Sequence, residues 1–168
     1  TPKGDWNVWL ILAGRGWGKT RTGAQDIAFY GLTRPNSRIA IVAPTHRDGR
    51  DTCIEGVSGL LSCFDKELIE NWNRSIGELT LKNGTIYRTF SAEQPDRLRG
   101  PQFHRAWCDE LGAWKNDEAW DQLLFGLRLG ENPQIVVTTT PKPTDIIKEL
   151  VNSKDSLVTR GSTFENKD

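Results

Sequence analysis

The stretch WLILAGRGWGKTRTGA, Trp9 to Ala24, runs from an apolar block into a glycine-rich loop and leaves through Lys-Thr into a segment of helical periodicity. It predicts a strand (NVWLIL), a loop and a helix (GKTRTGAQDIAFYGL) whose inner face is Ala24, Ile27, Ala28 and Leu32. Apolar blocks keep alternating with helix-like segments along the rest of the chain, the pattern of a parallel α/β sheet. RIAIVAP is a second strand stopped by Pro44, followed by a helix carrying Ile54, Val57, Leu60 and Leu61. ELTLKNGTIYRTF changes to a period of two around Asn83-Gly84, a strong hairpin signal. FHRAWCDE is a strand, NDEAWDQLLFGLRL a helix, QIVVTTTP a strand, TDIIKELVN a helix and SLVTRGS a strand. His104 and Arg105 interrupt the apolar character of FHRAWCDE, so burial is expected only for its last residues.

Bulk properties exclude more than they assign. The chain of 168 residues fits one domain, with 22 basic and 22 acidic residues. No global positive field therefore points to nucleic acid, and any DNA contact would have to come from local loops rather than a basic face. Cys53, Cys63 and Cys108 form no CxxC pair, which supports neither a metal site nor a disulfide framework and fits a reduced, cytosolic interior. The longest apolar run is far too short to span a bilayer, and no membrane partner is expected. With no secretory signal, the sequons at Asn73 and Asn83 read as chance, and the lack of methionine hints at a piece of a longer chain.

The glycine loop carries the first chemistry. The pattern GxxxxGK[ST] wants glycine where Ala13 stands, while Gly14, Gly16, Gly18, Lys19 and Thr20 fit it, with Arg15, Trp17 and Arg21 filling the rest of the nucleotide-binding stretch. Glycines let backbone N–H groups turn toward phosphates, and the following helix presents its positive N-terminus. Lys19 would reach the β- and γ-phosphates and the Thr20 hydroxyl would ligate Mg²⁺. Alanine at position 13 costs little if its φ is negative. Trp17 reads as an aromatic packed against the loop.

Asp109 and Glu110 close an apolar block, where an Asp can hold Mg²⁺ and a Glu can polarise the attacking water. Thr138, Thr139 and Thr140 end a strand on the edge where parallel sheets bind ligands, and could sense a γ-phosphate; β-branched residues finishing a strand are the alternative. Arg97 and Arg99 lie on the loop before the acidic strand, and either could supply a guanidinium to a neighbouring subunit's phosphate, although solvated loop arginines are commoner. His46 reads as a hydrogen-bonded loop histidine.

Together these pieces resemble the N-terminal ATPase domain of the large terminase subunit, the DNA-packaging motor of tailed bacteriophages and prophages. The matching stretches are the glycine loop, IAIVAPTHRDGRD, NGTIYRTFSAEQPDRLRGPQFHRAWCDELGAW, LLFGLRLGENPQIVVTTTPKP and GSTFEN. The resemblance implies a P-loop NTPase fold of the RecA-like class: a mainly parallel, doubly wound sheet with helices on both faces and an inserted β-hairpin, over residues 1–168. It implies ATP as substrate and Mg²⁺ as cofactor. Arg15 matches a phosphate-loop arginine that contributes to hydrolysis, Arg99 a trans-acting finger, Asp109 and Glu110 the metal ligand and catalytic glutamate, and Thr138–Thr140 the coupling segment. The implied partners are double-stranded DNA, the procapsid portal, the small terminase subunit and further copies in a ring, within the host bacterial cytoplasm. The family's C-terminal nuclease is not expected in this stretch, and its linker or lid subdomain is expected absent or truncated. Two other readings remain: the first motor domain of a superfamily 2-type helicase, and a nucleotide-gated DNA- or partner-binding module without turnover.

Overall fold

The computed structural model describes residues 6–161. In chain order the strands are β1 (Val8–Ala13), β2 (Arg38–Ala43), β3 (Ile69–Asn73), β4 (Glu78–Leu81), β5 (Ile86–Ser91), β6 (Arg105–Asp109), β7 (Gln134–Thr139) and β8 (Ser156–Gly161). The helices are α1 (Lys19–Thr33), a short α2 (His46–Asp48), α3 (Glu118–Gly126) and α4 (Asp145–Asn152). The strands form one sheet in the order β3-β4-β5-β2-β6-β7-β1-β8. Six pair in parallel; toward one edge β4 runs antiparallel between β5 and β3. The strand before the glycine loop and the acidic strand are thus not neighbours: β7 lies between them, in register with Ile11 on one side and Asp109 on the other through Thr138. Of the GSTFEN stretch, all but Gly161 lies outside the described residues.

Both faces of the sheet are covered, which is why the central strands read as continuous apolar runs rather than alternating ones. Val8, Leu10 and Leu12 point to a core shared with Trp120 and Leu123 of α3 and Ile146, Ile147 and Leu150 of α4. Trp9, Ile11, Ile39, Ile41, Trp107 and Val136 point the other way, onto Ala24, Ile27 and Ala28 of α1. Each fully buried Leu or Ile contributes about 2 kcal/mol, before entropy is counted. Among the described residues no helix is long and apolar enough to cross a membrane.

The structure corrects the expected elements in three places. Leu32 is exposed; the inner face of α1 continues instead through Gly31, which lies against the Tyr87 phenol. That hydroxyl donates to the Ile27 carbonyl at 2.8 Å, so the close approach of helix and strand is where glycine is required. The helix expected after β2 is broken. Three residues of α2 pass into a π-helical turn, Gly49–Ile54, and a 3-10 turn, Leu60–Cys63; Ile54 and Leu60 are buried, but Val57 is fully in solvent. Gly56 and Gly59 sit tight against backbone carbonyls there, so the chain bends sharply rather than propagating a helix.

The Asn83-Gly84 hairpin forms as expected, and its β5 arm is a full parallel member of the sheet beside β2. Its turn is closed by Gly84 N–H to Leu81 C=O at 3.0 Å with Gly84 at φ +89°. This is a turn followed by a left-handed glycine.

Finally, β6 is buried along its whole length, Arg105 included. The Arg105 guanidinium donates to Asp26 of α1 at 2.9 and 3.0 Å and to Gln134 at 2.6 Å, and lies over the Trp6 and Tyr30 rings. A charge that looked like an interruption is buried because its partners are buried with it. His104 is half-buried, its Nδ1 accepting from the Arg38 N–H at 2.9 Å, and burial holds it below the usual histidine pKa.

Candidate nucleotide site

The loop between β1 and α1 is built as its composition predicts. Gly16 and Gly18 have φ of +82° and +87°, conformations that residues with a Cβ rarely adopt. Gly18 caps α1 with no side-chain hydrogen bond, and the first turn carries no acid, so the helix N-terminus keeps its donors and positive potential available to an anion. Ala13 is the buried last residue of β1, and its φ is not positive, so the missing first glycine is tolerated. Trp17 leans on the backbone of Gly161 in β8 and on the α1-side core rather than on the loop itself. Arg15 is exposed, and Arg21 points outward beside Cys63.

Beneath the loop, at the carboxyl edge of β1, β2, β6 and β7, lies a cleft of about 420 Å³. Arg15, Thr20, Asp109, Glu110 and Thr140 line it. Lys19 is buried under the loop, with Nζ 3.2 Å from Glu110 Oε1. Asp109 is buried with one carboxylate oxygen accepting from the Thr138 hydroxyl at 2.9 Å and the other facing the Cys53 thiol at 3.7 Å. Burial, more than any other influence, pushes Asp109 up to about 6; the Glu110 charge adds to the rise, while the Thr138 hydrogen bond and the Lys19 charge oppose it.

Glu110 is one of two non-glycine described residues with positive φ, at +50°. A glutamate held there stores about 1 kcal/mol or more of backbone strain. The structure over-determines it: the Glu110 N–H donates to Thr138 C=O at 2.6 Å, and the Thr140 N–H and hydroxyl both donate to its carboxylate at 3.2 Å. The three threonines are therefore not equivalent. Thr138 is buried and grips Asp109, receiving the Trp107 indole N–H at 2.7 Å in turn. Thr139 accepts from the Gly112 N–H at 3.0 Å and pins the turn after the acids. Thr140 alone reaches the cleft, where it holds Glu110.

The donor set suits Mg²⁺. Thr20 and Asp109 offer hard oxygens on one cleft, and the Asp109 carboxylate keeps lone pairs beyond those used by Thr138 and Cys53. Among the described residues no group of three or more His, Cys, Asp or Glu is gathered that could hold a metal ion.

Arg97 and Arg99 are not brought to this cleft. Both are exposed; Arg99 pairs with Asp96 at 3.5 Å and lines a separate hollow of about 230 Å³ with Phe125 and Arg128. His46 is exposed and bonds Gln94 at 2.7 Å, a loop contact as expected. Reading the sequence missed Cys53, Asp48, Thr52 and Lys142, of which the last three line the cleft and Cys53 touches Asp109. The positions of Asp48 and Lys142, just past the prolines that end β2 and β7, were the available signal.

Residues 10–154 match the model of the family "Terminase large subunit, T4likevirus-type, N-terminal". The fold is shared with the large terminase ATPase domain of Thermus phage P74-26 (TM-score 0.76, 16% identity, covering 97% of this chain and 78% of that one). It is also shared with the large terminase of a thermophilic bacteriophage in complex with ADP (TM-score 0.79, 14% identity, 97% and 42% covered). The HK97 bacteriophage large terminase gives a TM-score of 0.73 at 19% identity, with 92% and 35% covered. The chain thus spans most of an isolated ATPase domain and less than half of the longer terminases. No curated protein sequence matches it. A strand–glycine loop–helix over an acidic cleft, in a sheet shared with these domains and under a family match that spans most of the chain, places the protein in the T4likevirus-type large terminase family, as its N-terminal domain.

Proposed function

We propose that this domain binds ATP on the Gly14–Thr20 loop, hydrolyses it at Glu110, and as part of a DNA-packaging motor couples that hydrolysis to movement of viral double-stranded DNA. The observation that carries the reading is the Lys19–Glu110 contact of 3.2 Å beneath a glycine loop and beside the buried Asp109. Lys19 serves two acceptors. When phosphates draw its ammonium away, Glu110 keeps its Thr140 hydrogen bonds and is free to accept a proton from water for in-line attack. Thr20 and Asp109 would hold Mg²⁺, which would supply charge neutralisation to the bound phosphates. Arg15, on the cleft rim, would contact phosphate. The separation of Arg99 from the cleft fits a finger given to a neighbouring subunit of a ring, with the portal, the small terminase subunit and the host cytoplasm as the setting. Family membership supports this motor over a helicase's first domain.

The test is Mg²⁺-dependent ATP hydrolysis by the 168-residue chain over a wide range of protein concentration. Specific activity is expected to rise with concentration and to fall at least about a hundredfold in Arg99→Ala, an arginine-finger loss. Glu110→Gln is expected to bind ATP while losing turnover. If it hydrolyses ATP as the wild type does, Glu110 is not the base; if the wild type binds without turnover at every concentration, the domain is a binding module or a motor domain too truncated to run alone.

A further inference from the structure

Lys142 sits in the loop after β7, exposed and on the rim of the same cleft as Arg15 and Thr20. Neither the family pattern read from the sequence nor the mechanism above uses it. We propose that Lys142 is a γ-phosphate ligand supplied in cis, and that it ties the state of the phosphate to the loop that holds Glu110. The proposal rests on the cleft being the ATP site.

Three observations carry it. First, among the described residues Lys142 makes no ion pair, whereas the buried Lys19 is engaged by Glu110. Lys142 lines this cleft on one side and an apolar hollow with Leu12, Ile147 and Val151 on the other, and with no protein anion pairing its ammonium the charge is available to an anion in the cleft. Second, Lys142 is flanked by Pro141 and Pro143, and the loop is closed by Thr144 N–H to Lys142 C=O at 2.8 Å. Two fixed φ angles around one residue lower the entropy of presenting its side chain. Third, the loop is mechanically joined to the acids. Thr140, two residues earlier, holds the Glu110 carboxylate through its N–H and hydroxyl. On the other side a Cβ at Gly112, two residues after Glu110, would meet Lys142 Cβ at 3.3 Å and Thr139 Oγ1 at 3.1 Å, so the two loops touch with no room between them. A pull on Lys142 is therefore delivered to both ends of the segment that fixes Glu110. Arg15 lies on the glycine loop and does not share this connection.

The reading is specific to the third phosphate, so it separates ATP from ADP. The experiment measures the affinities of ATPγS and of ADP, each with Mg²⁺, for the wild-type chain, Lys142→Gln and Lys142→Arg, by calorimetry or nucleotide-induced tryptophan fluorescence. Lys142→Gln is expected to weaken ATPγS about tenfold, the scale of one charge-assisted hydrogen bond, and ADP by less than about twofold. Lys142→Arg is expected to restore most of the loss. Position 142 is exposed, so both variants should keep the wild-type melting temperature, which is checked in the same samples. Equal weakening of both nucleotides, or of neither, overturns the proposal while leaving the ATP site standing. A wild-type chain that binds neither nucleotide overturns both.

Discussion

A buried carboxylate that titrates near neutrality makes Asp109→Asn the most informative single change. Asp109 titrates at about 6 in the fold against 3.8 for a free side chain, and it is only 3% exposed. Between those two values the folded state holds a proton that the unfolded chain has lost. The contribution is therefore fully present below about pH 4 and is lost as pH rises through about 6. At about 1.36 kcal/mol per pH unit, the gap corresponds to about 3 kcal/mol of stability given up by neutral pH. An asparagine keeps an acceptor for the Thr138 hydroxyl and discards the charge. In Mg²⁺-free buffer at pH 7.5 the variant is expected to be more stable by up to about 3 kcal/mol, or about 6 to 12 °C in Tm for a chain of this size. Urea denaturation of both proteins from pH 4.5 to 8 reads this directly, because the difference between the two curves isolates Asp109 from the other carboxylates. That difference should grow with pH and level off above about 7. The same variant should lose Mg²⁺-dependent ATP hydrolysis. A difference independent of pH, or an asparagine variant less stable than wild type at pH 7.5, would refute the reasoning that burial of this charge is a cost the site retains for binding.

Two further outcomes test the scaffold. Arg105→Ala strips the guanidinium from the buried Asp26 carboxylate, whose side chain is 1% exposed, and should cost about 3 to 5 kcal/mol in urea denaturation; adding Asp26→Asn should recover part of it. Gly31→Ala should gain about 1 kcal/mol if helix propensity ruled, but the new methyl meets the Tyr87 phenol, so a net loss of about 1 to 3 kcal/mol is expected. Tyr87→Phe in the same chain removes the hydroxyl in the way and should return part of that loss.

Much of the site was legible because its chemistry is local. A strand, two glycines at positive φ, a lysine and a threonine at a helix start are adjacent in the chain, and backbone sterics leave that composition few other conformations. Asp109 and Glu110 are likewise neighbours, and an apolar run before them places them at a strand end. Alternating apolar blocks determined the α/β class for the same reason: period and length are properties of short segments. What escaped was whatever depends on a partner distant in sequence. Arg105 looked like an interruption until Asp26, 79 residues away, met it in the interior. Leu32 and Val57 fitted a helical period, yet which residues of a segment face inward is settled by the strand it packs on and by glycines that bend it away. The sequence also supplied three consecutive threonines with nothing to tell them apart. Strand pleat sends Thr138 to Asp109 on one face of the sheet and turns Thr139 to the other, and the end of β7 releases Thr140 to Glu110. Only the order of the strands, with β7 between β1 and β6, brings those hydroxyls to the acids, because long-range pairing is chosen by the packing of the whole sheet.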